Sequence, residues 1–298
     1  MIVAHKKGSL RGQLRVDEPM SRHTSWRVGG CADYFYVPAD IADLAMYLNS
    51  LPTERPVYWL GLGINMLVRD GGIRGCVIAT SGALNRLQMV GEHRVRVEAG
   101  VAGAKVARFT VGHGLTGAQF LAGIPGTMGG ALAMNAGAFG GETWDIVDKV
   151  ETIDRQGRVR NRMRSEFKIG YRHITGPADE WFVAAHLRLT QGDVTEGKAN
   201  IRILLAKRDQ TQPTQIANAG SVFKNPPGDY AARLIEASGM KGLCVGTACV
   251  SQVHANFIVN TGSATAADIE DLMQRVRKGV EQQQGVALET EVRIVGEA

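Results

Sequence analysis

The chain has 298 residues, of which 44% are hydrophobic and 21% are charged, and this balance excludes disordered, collagen-like and coiled-coil proteins. Its 37 glycines are roughly 12% of the 298 residues, above the usual share of about 7%. This excess favours loops that approach a ligand closely. The formal net charge of +5 suits an anionic ligand but is too mild to distinguish a small anion from a nucleic acid.

The N-terminal region is predicted to form an arm followed by mixed helix and strand. Residues 1–19 carry mixed charge and close at a proline, which is typical of an arm or cap. Asp40 precedes residues with helical apolar spacing and predicts the start of a helix. A strand over 57–60 runs into a glycine turn, and another apolar strand covers 77–79.

The middle of the chain alternates strand and helix patterns. The predicted strands cover 93–98, 147–153, 159–163 and 181–189, and the predicted helices cover 104–111 and 196–208. We expect the last of these strands to close a sheet. We place a domain boundary near residue 210, where Gln212-Pro213 ends the helical pattern.

The C-terminal region is predicted to be mixed as well. Its elements are a helix over 230–237, a strand over 257–259, a helix after residue 265 and a closing strand over 292–295. Thr265 and Asp268 have the spacing of a capping box at the start of that last helix.

The cysteine spacing and the N-terminal sequence predict the cellular location of the protein. The four cysteines, Cys31, Cys76, Cys244 and Cys249, form no C-x-x-C pair and no zinc-ligand spacing, so we expect reduced thiols, no metal and a cytoplasmic location. No apolar signal segment follows the N-terminus. Residues 109–141 carry no charge, but their glycines favour a ligand-binding loop over a membrane helix.

A dinucleotide-binding pattern, G-x-G-x-x-G, occurs over residues 112–117. That motif should follow a strand, open a helix and precede an acidic residue about 20 positions on. Here it follows a predicted helix, and the next acidic residues, Glu142 and Asp145, come too late. We therefore interpret it as the C-terminal cap of the helix.

Three other glycine clusters place backbone N–H groups where a phosphate or a planar cofactor could meet them. The cluster over 61–65 follows a strand and alone is compatible with an ordinary turn. The run over 123–140 is too dense in glycine to reflect packing alone and predicts a ligand loop. The segment over 219–226 gathers a hydroxyl, an ammonium and an amide within five residues.

These clusters belong to a larger set of motifs that runs from about residue 20 to the C-terminus. The set consists of His23–Gly30, Gly61–Val68, Ala122–Gly140, Tyr171-Arg172, Ala219–Pro226, His254–Phe257 and Leu288–Ile294. In this order the motifs resemble the UDP-N-acetylenolpyruvoylglucosamine reductase (MurB) family, in its shorter type.

The resemblance implies an α+β chain with a two-lobed FAD-binding fold of the vanillyl-alcohol-oxidase type and a C-terminal α/β substrate-binding domain. We assign 1–19 to the arm, 20–80 and 81–209 to the two FAD-binding lobes, and 210–298 to the substrate-binding domain. The family reaction passes a hydride from NADPH to FAD and then to the enolpyruvyl methylene carbon of UDP-N-acetylglucosamine enolpyruvate, giving UDP-N-acetylmuramate for peptidoglycan synthesis. It requires no nucleic acid, membrane or obligatory protein partner.

The resemblance also implies the cofactor contacts. The expected FAD-binding residues are Arg27, Gly61, Gly63, Asn65, Gly123, Ile124, Pro125, Gly126, Thr127, Gly129, Gly130, Asn135 and Gly137.

The reaction requires a fixed cation, because hydride addition pushes negative charge into the substrate carboxylate. Arg172 matches the family arginine and can grip a carboxylate with two donors. Ser221 matches the family proton donor to carbon. Glu291 matches the acidic partner, although its spacing of two from Glu289 leaves both open on sequence alone.

The resemblance also implies the substrate contacts, and a few positions differ from the family pattern. Tyr171, Lys224 and Asn225 carry over as substrate contacts. The family usually has serine at Ile64, and often has glycine at Thr247 and glutamine at Cys249, so the side chains of those loops depart from the family pattern. His254 is interpreted as structural rather than as a catalytic acid. The alternatives are another flavin oxidase or dehydrogenase of this fold, and an anion- or RNA-binding protein.

Overall fold

The computed structural model describes residues 10–298, so the first half of the predicted arm lies outside the described residues. The elements in chain order are β1 (Gln13–Pro19), β2 (Cys31–Val37), α1 (Ile41–Ser50), β3 (Val57–Leu60), β4 (Met66–Val68), β5 (Ile73–Ala79), β6 (Leu87–Gly91), β7 (Arg94–Glu98), α2 (Gly103–Gly112), β8 (Leu115–Thr116), α3 (Met128–Met134), β9 (Gly137–Ala138), β10 (Gly141–Glu142), β11 (Val147–Asp154), β12 (Val159–Met163), β13 (Lys168–Gly170), β14 (His173–Thr175), β15 (Glu180–Arg188), β16 (Thr190–Gln191), α4 (Val194–Thr211), β17 (Ala217–Asn218), α5 (Ala231–Ala237), β18 (Cys244–Val245), β19 (Ala248–Val250), β20 (Ile258–Asn260), α6 (Ala266–Gln284) and β21 (Arg293–Val295).

The chain divides into two compact units. Unit 1 comprises Met1–Arg15 in its described part, Tyr34–Gly61 and Gly75–Ala206, and unit 2 comprises Val16–Asp33, Leu62–Arg74 and Lys207–Ala298. Strands β1, β2, β5 and β3 form a sheet in that order.

Unit 1 contains two hydrophobic cores. One lies on a five-stranded antiparallel sheet, in the order β12-β11-β15-β7-β6, and includes buried side chains of α2 and α3. Strand β15 was expected to close a sheet, but it is the central strand, because its consecutive residues Val183, Ala184 and Ala185 are all buried. Residues 147–163 form the predicted hairpin of β11 and β12.

The second core of unit 1 surrounds α1 and the parallel pair β3 and β5. The predicted cap of α1 is confirmed, since the Asp40 carboxylate accepts the Asp43 amide at 2.8 Å. Tyr36 and Tyr47 stack at 3.6 Å between ring centroids, and Asp43 accepts the Tyr36 hydroxyl. Two separate cores are what a two-lobed arrangement requires.

Unit 2 has an antiparallel sheet in the order β17-β20-β19-β18 and a parallel pair of β21 with β4. Its core combines α5 and α6 with residues from the N-terminal part of the chain, Trp26 and Leu67 among them. The Trp26 indole donates to the Ile258 carbonyl at 2.7 Å, which fixes the segment around Trp26 to β20.

Helix α6 begins and ends with specific caps. The predicted capping box is present, with Thr265 and Asp268 each accepting the other's amide. Asp70 also accepts the amides of Ala266 and Ala267 at 3.0 Å, and the negative carboxylate complements the helix N-terminus. Gly285 ends the helix in the left-handed conformation.

Three predictions from the sequence can be compared with the structure. Within the predicted arm, Gln13–Pro19 forms the strand β1. The G-x-G-x-x-G pattern follows α2, as expected, and Gly114 turns the chain with a φ of +69°. Within residues 10–298, none of the helices is both long and apolar enough to cross a membrane.

The expectation of four reduced cysteines is wrong for one pair. Cys244 and Cys249 face each other across the β18–β19 pair and form a disulfide. Their opposition in the hairpin register, and not a C-x-x-C spacing, brings the two sulfur atoms together. Cys31 and Cys76 are free, and the described residues contain no group of metal-ligating side chains.

Candidate functional site

The glycine run over 123–140 builds a compact turn structure in unit 1. A 3₁₀ helix over Gln119–Gly123 leads through Ile124 and Pro125 to α3, and β9 and β10 follow. Thr127 is the residue before α3, and Asn135 closes the helix with a φ of +41°. The uncharged segment therefore forms closely spaced backbone turns and not a membrane span.

Part of this run leaves room for a ligand. Thr127 is 2% exposed, yet its hydroxyl oxygen has no hydrogen-bond partner. A Cβ atom on Gly61 would lie 2.4 Å from that oxygen, whereas one on Gly126 would meet nothing within 4 Å. Buried hydroxyls are almost always hydrogen-bonded, so Thr127 with this open backbone fits a polar ligand such as FAD.

Other glycines of the run allow the protein to pack on itself. A Cβ atom would lie 2.3 Å from the Phe139 ring at Gly123, 2.9 Å from Ala99 at Gly129 and 2.8 Å from a backbone oxygen at Gly137. Gly130 has more space, with its nearest neighbour at 3.8 Å. The dense glycine pattern thus combines packing positions with positions open to a ligand.

The remaining predicted cofactor residues lie in unit 2. Gly63 has a φ of +63°, and a Cβ atom there would lie 2.0 Å from the His23 carbonyl oxygen. The Asn65 side chain donates to the Glu291 carbonyl at 3.1 Å. Arg27 is exposed and has a φ of +62°, so its backbone is held in the left-handed region that non-glycine residues rarely adopt.

Arg172 lies at the tip of the β13–β14 hairpin in unit 1. The two-residue turn consists of Tyr171 and Arg172, and Arg172 has a φ of +53°. Its guanidinium donates to the carbonyl of Gly137 at 3.0 Å and to that of Asn135 at 3.4 Å. Tyr171 is 47% exposed, and the guanidinium lies 5.3 Å from its ring centroid.

Ser221 lies in unit 2 directly before Val222 and Phe223, two residues that contact neighbouring backbone on two sides. On one side, Phe223 pairs with Thr290 in an antiparallel bridge. On the other side, the Asn256 carbonyl accepts the Val222 amide at 2.9 Å. The segment containing the predicted proton donor and the segment just before β21 that contains the predicted acid are therefore neighbours.

Glu291 and Glu289 have different surroundings. Glu289 is exposed and forms an ion pair with Lys224 at 2.5 Å. The amides of Glu291 and Val292 both approach the Val222 carbonyl, at 2.8 and 3.5 Å, a two-against-one pattern typical of a β-bulge. A bulge redirects a side chain, and Glu291 is half-buried at this position, which distinguishes it from the surface carboxylate.

The predicted substrate residue Asn225 has a local structural contact. Its side-chain oxygen accepts the Ala231 amide at 3.0 Å, at the start of α5. Asn135, predicted to bind the cofactor, is likewise engaged: its amide group donates to Glu142 at 2.7 Å and accepts from the Trp144 backbone at 3.1 Å. Both asparagines shape the loops in which they lie.

Asn256 is a residue that the sequence analysis named only within a motif. It is 4% exposed, and its side chain binds both backbone groups of Phe223, at 3.0 and 2.8 Å. His254 accepts the Asn256 amide through Nδ1 at 3.3 Å, and burial lowers the pKa of this histidine. His254 therefore supports Asn256 as a hydrogen-bond acceptor.

Comparisons with known proteins match both parts of the chain. Residues 32–161 match the FAD binding domain family, and residues 212–295 match the family of UDP-N-acetylenolpyruvoylglucosamine reductase C-terminal domains. The structure is similar to 6-hydroxy-D-nicotine oxidase from Arthrobacter nicotinovorans at a TM-score of 0.56 and 10% identity, covering 94% of this chain and 87% of that one. The fold is thus that of an FAD-binding oxidoreductase of the vanillyl-alcohol-oxidase type.

Full-length relatives define the family. The chain is 57% identical to UDP-N-acetylenolpyruvoylglucosamine reductase of Alkalilimnicola ehrlichii, with 96% of each protein covered, and 58% identical to that of Methylococcus capsulatus, with 97% and 95% covered. It is similar to the crystal structure of this reductase (MurB) from Thermus caldophilus, with a TM-score of 0.82, 32% identity and coverage of 96% and 99%. The chain belongs to the UDP-N-acetylenolpyruvoylglucosamine reductase family.

Proposed function

We propose that this reductase uses NADPH to convert UDP-N-acetylglucosamine enolpyruvate to UDP-N-acetylmuramate, with Arg172, Ser221 and Glu291 acting on the substrate. The family match supports the reaction. The observation that carries the residue assignment is the pairing of the Ser221 segment with the segment that contains Glu291, through the Phe223–Thr290 bridge and the hydrogen bond from the Glu291 amide to the Val222 carbonyl. FAD, when bound, supplies the hydride that it has received from NADPH.

Arg172 binds the carboxylate of the enolpyruvyl group in this proposal. Hydride addition to the neighbouring double bond moves negative charge toward that carboxylate, and a guanidinium stays protonated throughout. Two backbone carbonyls hold the guanidinium before substrate arrives. Such preorganisation reduces the reorganisation needed at the moment of reaction.

Ser221 donates its hydroxyl proton to the carbon that carries the developing negative charge. A serine hydroxyl is a weak acid, but a carbanion-like enolate is a strong base, so the transfer is feasible from a fixed position. The hydrogen bonds of Val222 and Phe223 to Asn256 hold the segment that carries this hydroxyl. Lys224, next along the segment, contributes positive charge near the resulting alkoxide.

Glu291 polarises the enolpyruvyl group or orders a water molecule beside it. Its half-buried bulge position supports this assignment over Glu289, whose carboxylate is exposed and paired with Lys224. We further propose that Gly126, Gly130 and Thr127 contact FAD, and that Tyr171 and Asn225 contact the substrate together with Lys224. The domain boundaries given above remain part of this proposal.

The test separates the two halves of the reaction. Under anaerobic conditions, NADPH should bleach the visible absorbance of the flavin, and the enolpyruvyl sugar nucleotide should restore it. Ser221→Ala should bleach normally but recover colour about 10²–10⁴-fold more slowly, the range for loss of a general acid. Ser263→Ala, an exposed serine of unit 2, is the matched control and should match the wild type.

Two outcomes would contradict the proposal. Equal slowing of both half-reactions in Ser221→Ala would remove Ser221 from the proton-transfer step. Wild-type protein that bleaches with NADPH but never recovers colour with the sugar nucleotide would favour another flavin oxidoreductase of the same fold.

A further inference from the structure

Glu142 lies beside the Arg172 site, although no sequence pattern assigned it a role. It ends the short strand β10, which pairs with β9 so that Glu142 faces Gly137. Its carboxylate accepts a hydrogen bond from the side-chain amide of Asn135 at 2.7 Å. The side chain is therefore part of the same turn structure whose carbonyls bind Arg172.

Asn135 connects Glu142 to the arginine hairpin in two ways. Its backbone carbonyl accepts from the Arg172 guanidinium at 3.4 Å, and its side-chain nitrogen also approaches the Gly170 carbonyl at 3.3 Å. Gly170 is the last residue of β13, directly before the hairpin turn. Asn135 is 1% exposed, so a change in its side-chain orientation has no solvent to replace the lost partners.

Gly137 shows how closely Glu142 and Arg172 approach. A Cβ atom built on Gly137 would lie 3.1 Å from Cγ of Glu142 and 3.5 Å from Nη1 of Arg172. Both side chains thus border one small volume that is kept clear by the absence of a side chain at residue 137. The Gly137 carbonyl also accepts from Nη2 of Arg172 at 3.0 Å.

We propose that Glu142 is a positioning residue that fixes the Arg172 guanidinium for the substrate carboxylate, acting through Asn135. This inference rests on the role proposed above for Arg172. The Glu142 carboxylate accepts from Nδ2 of Asn135 and so orients the amide, whose oxygen then accepts from Trp144. The orientation keeps the Asn135 and Gly137 carbonyls directed at the guanidinium, which otherwise sits on a long side chain at an exposed hairpin tip.

A purely structural role for Glu142 predicts a different result. Glu142 and Asp145 form a capping box at the following 3₁₀ helix. Replacing the Glu142 side chain removes one half of that box but keeps the hydrogen bond from the Glu142 backbone amide to the Asp145 carboxylate, at 3.2 Å. A loss caused only by local unfolding should also lower flavin content and slow both half-reactions, whereas a loss of Arg172 positioning should affect only the step that uses the substrate carboxylate.

The experiment compares Glu142→Ala, Glu142→Gln, Arg172→Gln and the double variant Glu142→Ala/Arg172→Gln as flavin-loaded enzymes. Glu142→Ala should bleach with NADPH at a rate within about twofold of the wild type. Its reoxidation by the enolpyruvyl sugar nucleotide should slow about 10- to 100-fold, as expected for a misplaced catalytic group. Glu142→Gln, whose amide oxygen still accepts from Asn135, should recover most of that loss.

Controls address nonspecific effects and folding. Glu166→Ala is matched, because Glu166 is also a partly exposed glutamate of unit 1 that accepts a backbone amide and pairs with an arginine, and its reoxidation rate should be unchanged. If Glu142→Ala does not fold, Glu142→Asp serves in its place, because it keeps the charge but withdraws the oxygen from Asn135. It should then show slowed reoxidation with normal bleaching, and unchanged reoxidation would overturn the proposal.

The double variant tests whether Glu142 acts through Arg172. If Glu142 acts through Arg172, the alanine substitution should add no further slowing in the Arg172→Gln background. Independent, multiplicative losses would overturn the positioning role. Slow Arg172→Gln with unchanged Glu142→Ala would overturn this inference alone, whereas Arg172→Gln that reoxidises at the wild-type rate would overturn the role proposed for Arg172 and this inference with it.

Discussion

Replacing Asn256 with alanine should separate the stability of unit 2 from the geometry of the Ser221 segment. The substitution removes the two side-chain hydrogen bonds to the backbone of Phe223, at 3.0 and 2.8 Å. It keeps the Asn256 carbonyl, which still accepts the Val222 amide. The Ser221 segment should therefore remain paired on both sides but lose its side-chain anchor.

The size of the expected stability loss follows from the burial of Phe223. Phe223 is 2% exposed, so the N–H and C=O groups left behind by Asn256→Ala gain little contact with water. Each unsatisfied buried group costs about 1–3 kcal/mol, so we expect the free energy of unfolding to fall by about 4 kcal/mol. For a protein of 298 residues, with an unfolding entropy of about 2.1 cal/mol/K per residue, that corresponds to a decrease in melting temperature of about 6 °C.

The assay pairs thermal unfolding with the anaerobic half-reactions. Asn256→Ala should bleach normally with NADPH and recover colour with the sugar nucleotide at least tenfold more slowly, because the Ser221 hydroxyl loses its fixed position. Asn260→Ala is the matched control. Asn260 is likewise buried, at 8% exposed, and its side chain makes three hydrogen bonds, to Trp26, Gly262 and Ala264 and not to the Ser221 segment.

The control should therefore lose comparable stability while its flavin-loaded form reoxidises normally. Two results would contradict a positioning role for the Asn256 side chain: equal slowing of reoxidation in both asparagine variants, or a loss of stability in Asn256→Ala without slower reoxidation. The first result would indicate a general loosening of unit 2, and the second would show that the Asn256 side chain does not hold the reactive position.

Further predictions concern the cofactor, pH and the disulfide. Gly61→Ala should reduce the flavin retained after gel filtration, measured by visible absorbance, because the added Cβ would lie 2.4 Å from the Thr127 hydroxyl; full retention would contradict the proposed FAD contact. The hydrogen bond from Arg162 lowers the pKa of Glu180 below its ordinary value of 4.5, so this carboxylate stabilises the fold above about pH 4.5 and the contribution is lost as pH falls through the lowered pKa. Urea unfolding should show Glu180→Gln less stable than the wild type at pH 6, with the difference shrinking toward pH 3; a constant difference would refute the linkage. Cys244→Ser should lower the free energy of unfolding by only about 2 kcal/mol, because the disulfide closes a loop with a sequence separation of 5, and a thiol titration should find one more free thiol than in the wild type.

Local sequence signals predicted the elements whose stabilising contacts are themselves local. The Asp40 cap and the Thr265 capping box are confirmed because donor and acceptor lie three residues apart. The strand over 57–60 is confirmed with its bounds, since a short apolar run ends at a glycine turn. In contrast, residues 13–19 form β1 despite exposed and mixed side chains, because pairing with β2 decides their conformation and not a pattern within the segment.

The same difference between local and long-range contacts explains which residues of the candidate site could be predicted. The glycine run was identifiable because its density is unusual within one short segment, and the family motifs pointed to Arg172 and Ser221. Asn256 and Glu142 carried no comparable signal, since their partners lie 33 residues away in one case and in a tight turn in the other. The Cys244–Cys249 disulfide was missed because it depends on hairpin register and not on a recognisable cysteine spacing.

The composition of unit 2 from three separate segments has a consequence for how the protein is made. Trp26 is fully buried and donates to Ile258, 232 positions later in the chain. At a synthesis rate of about 5–20 residues per second, the indole leaves the ribosome roughly 10–50 s before its partner exists. During that interval Trp26 and the apolar residues around Leu67 are available to chaperones, and substitutions there should affect the yield of folded protein in growing cells more than they affect refolding of the complete chain.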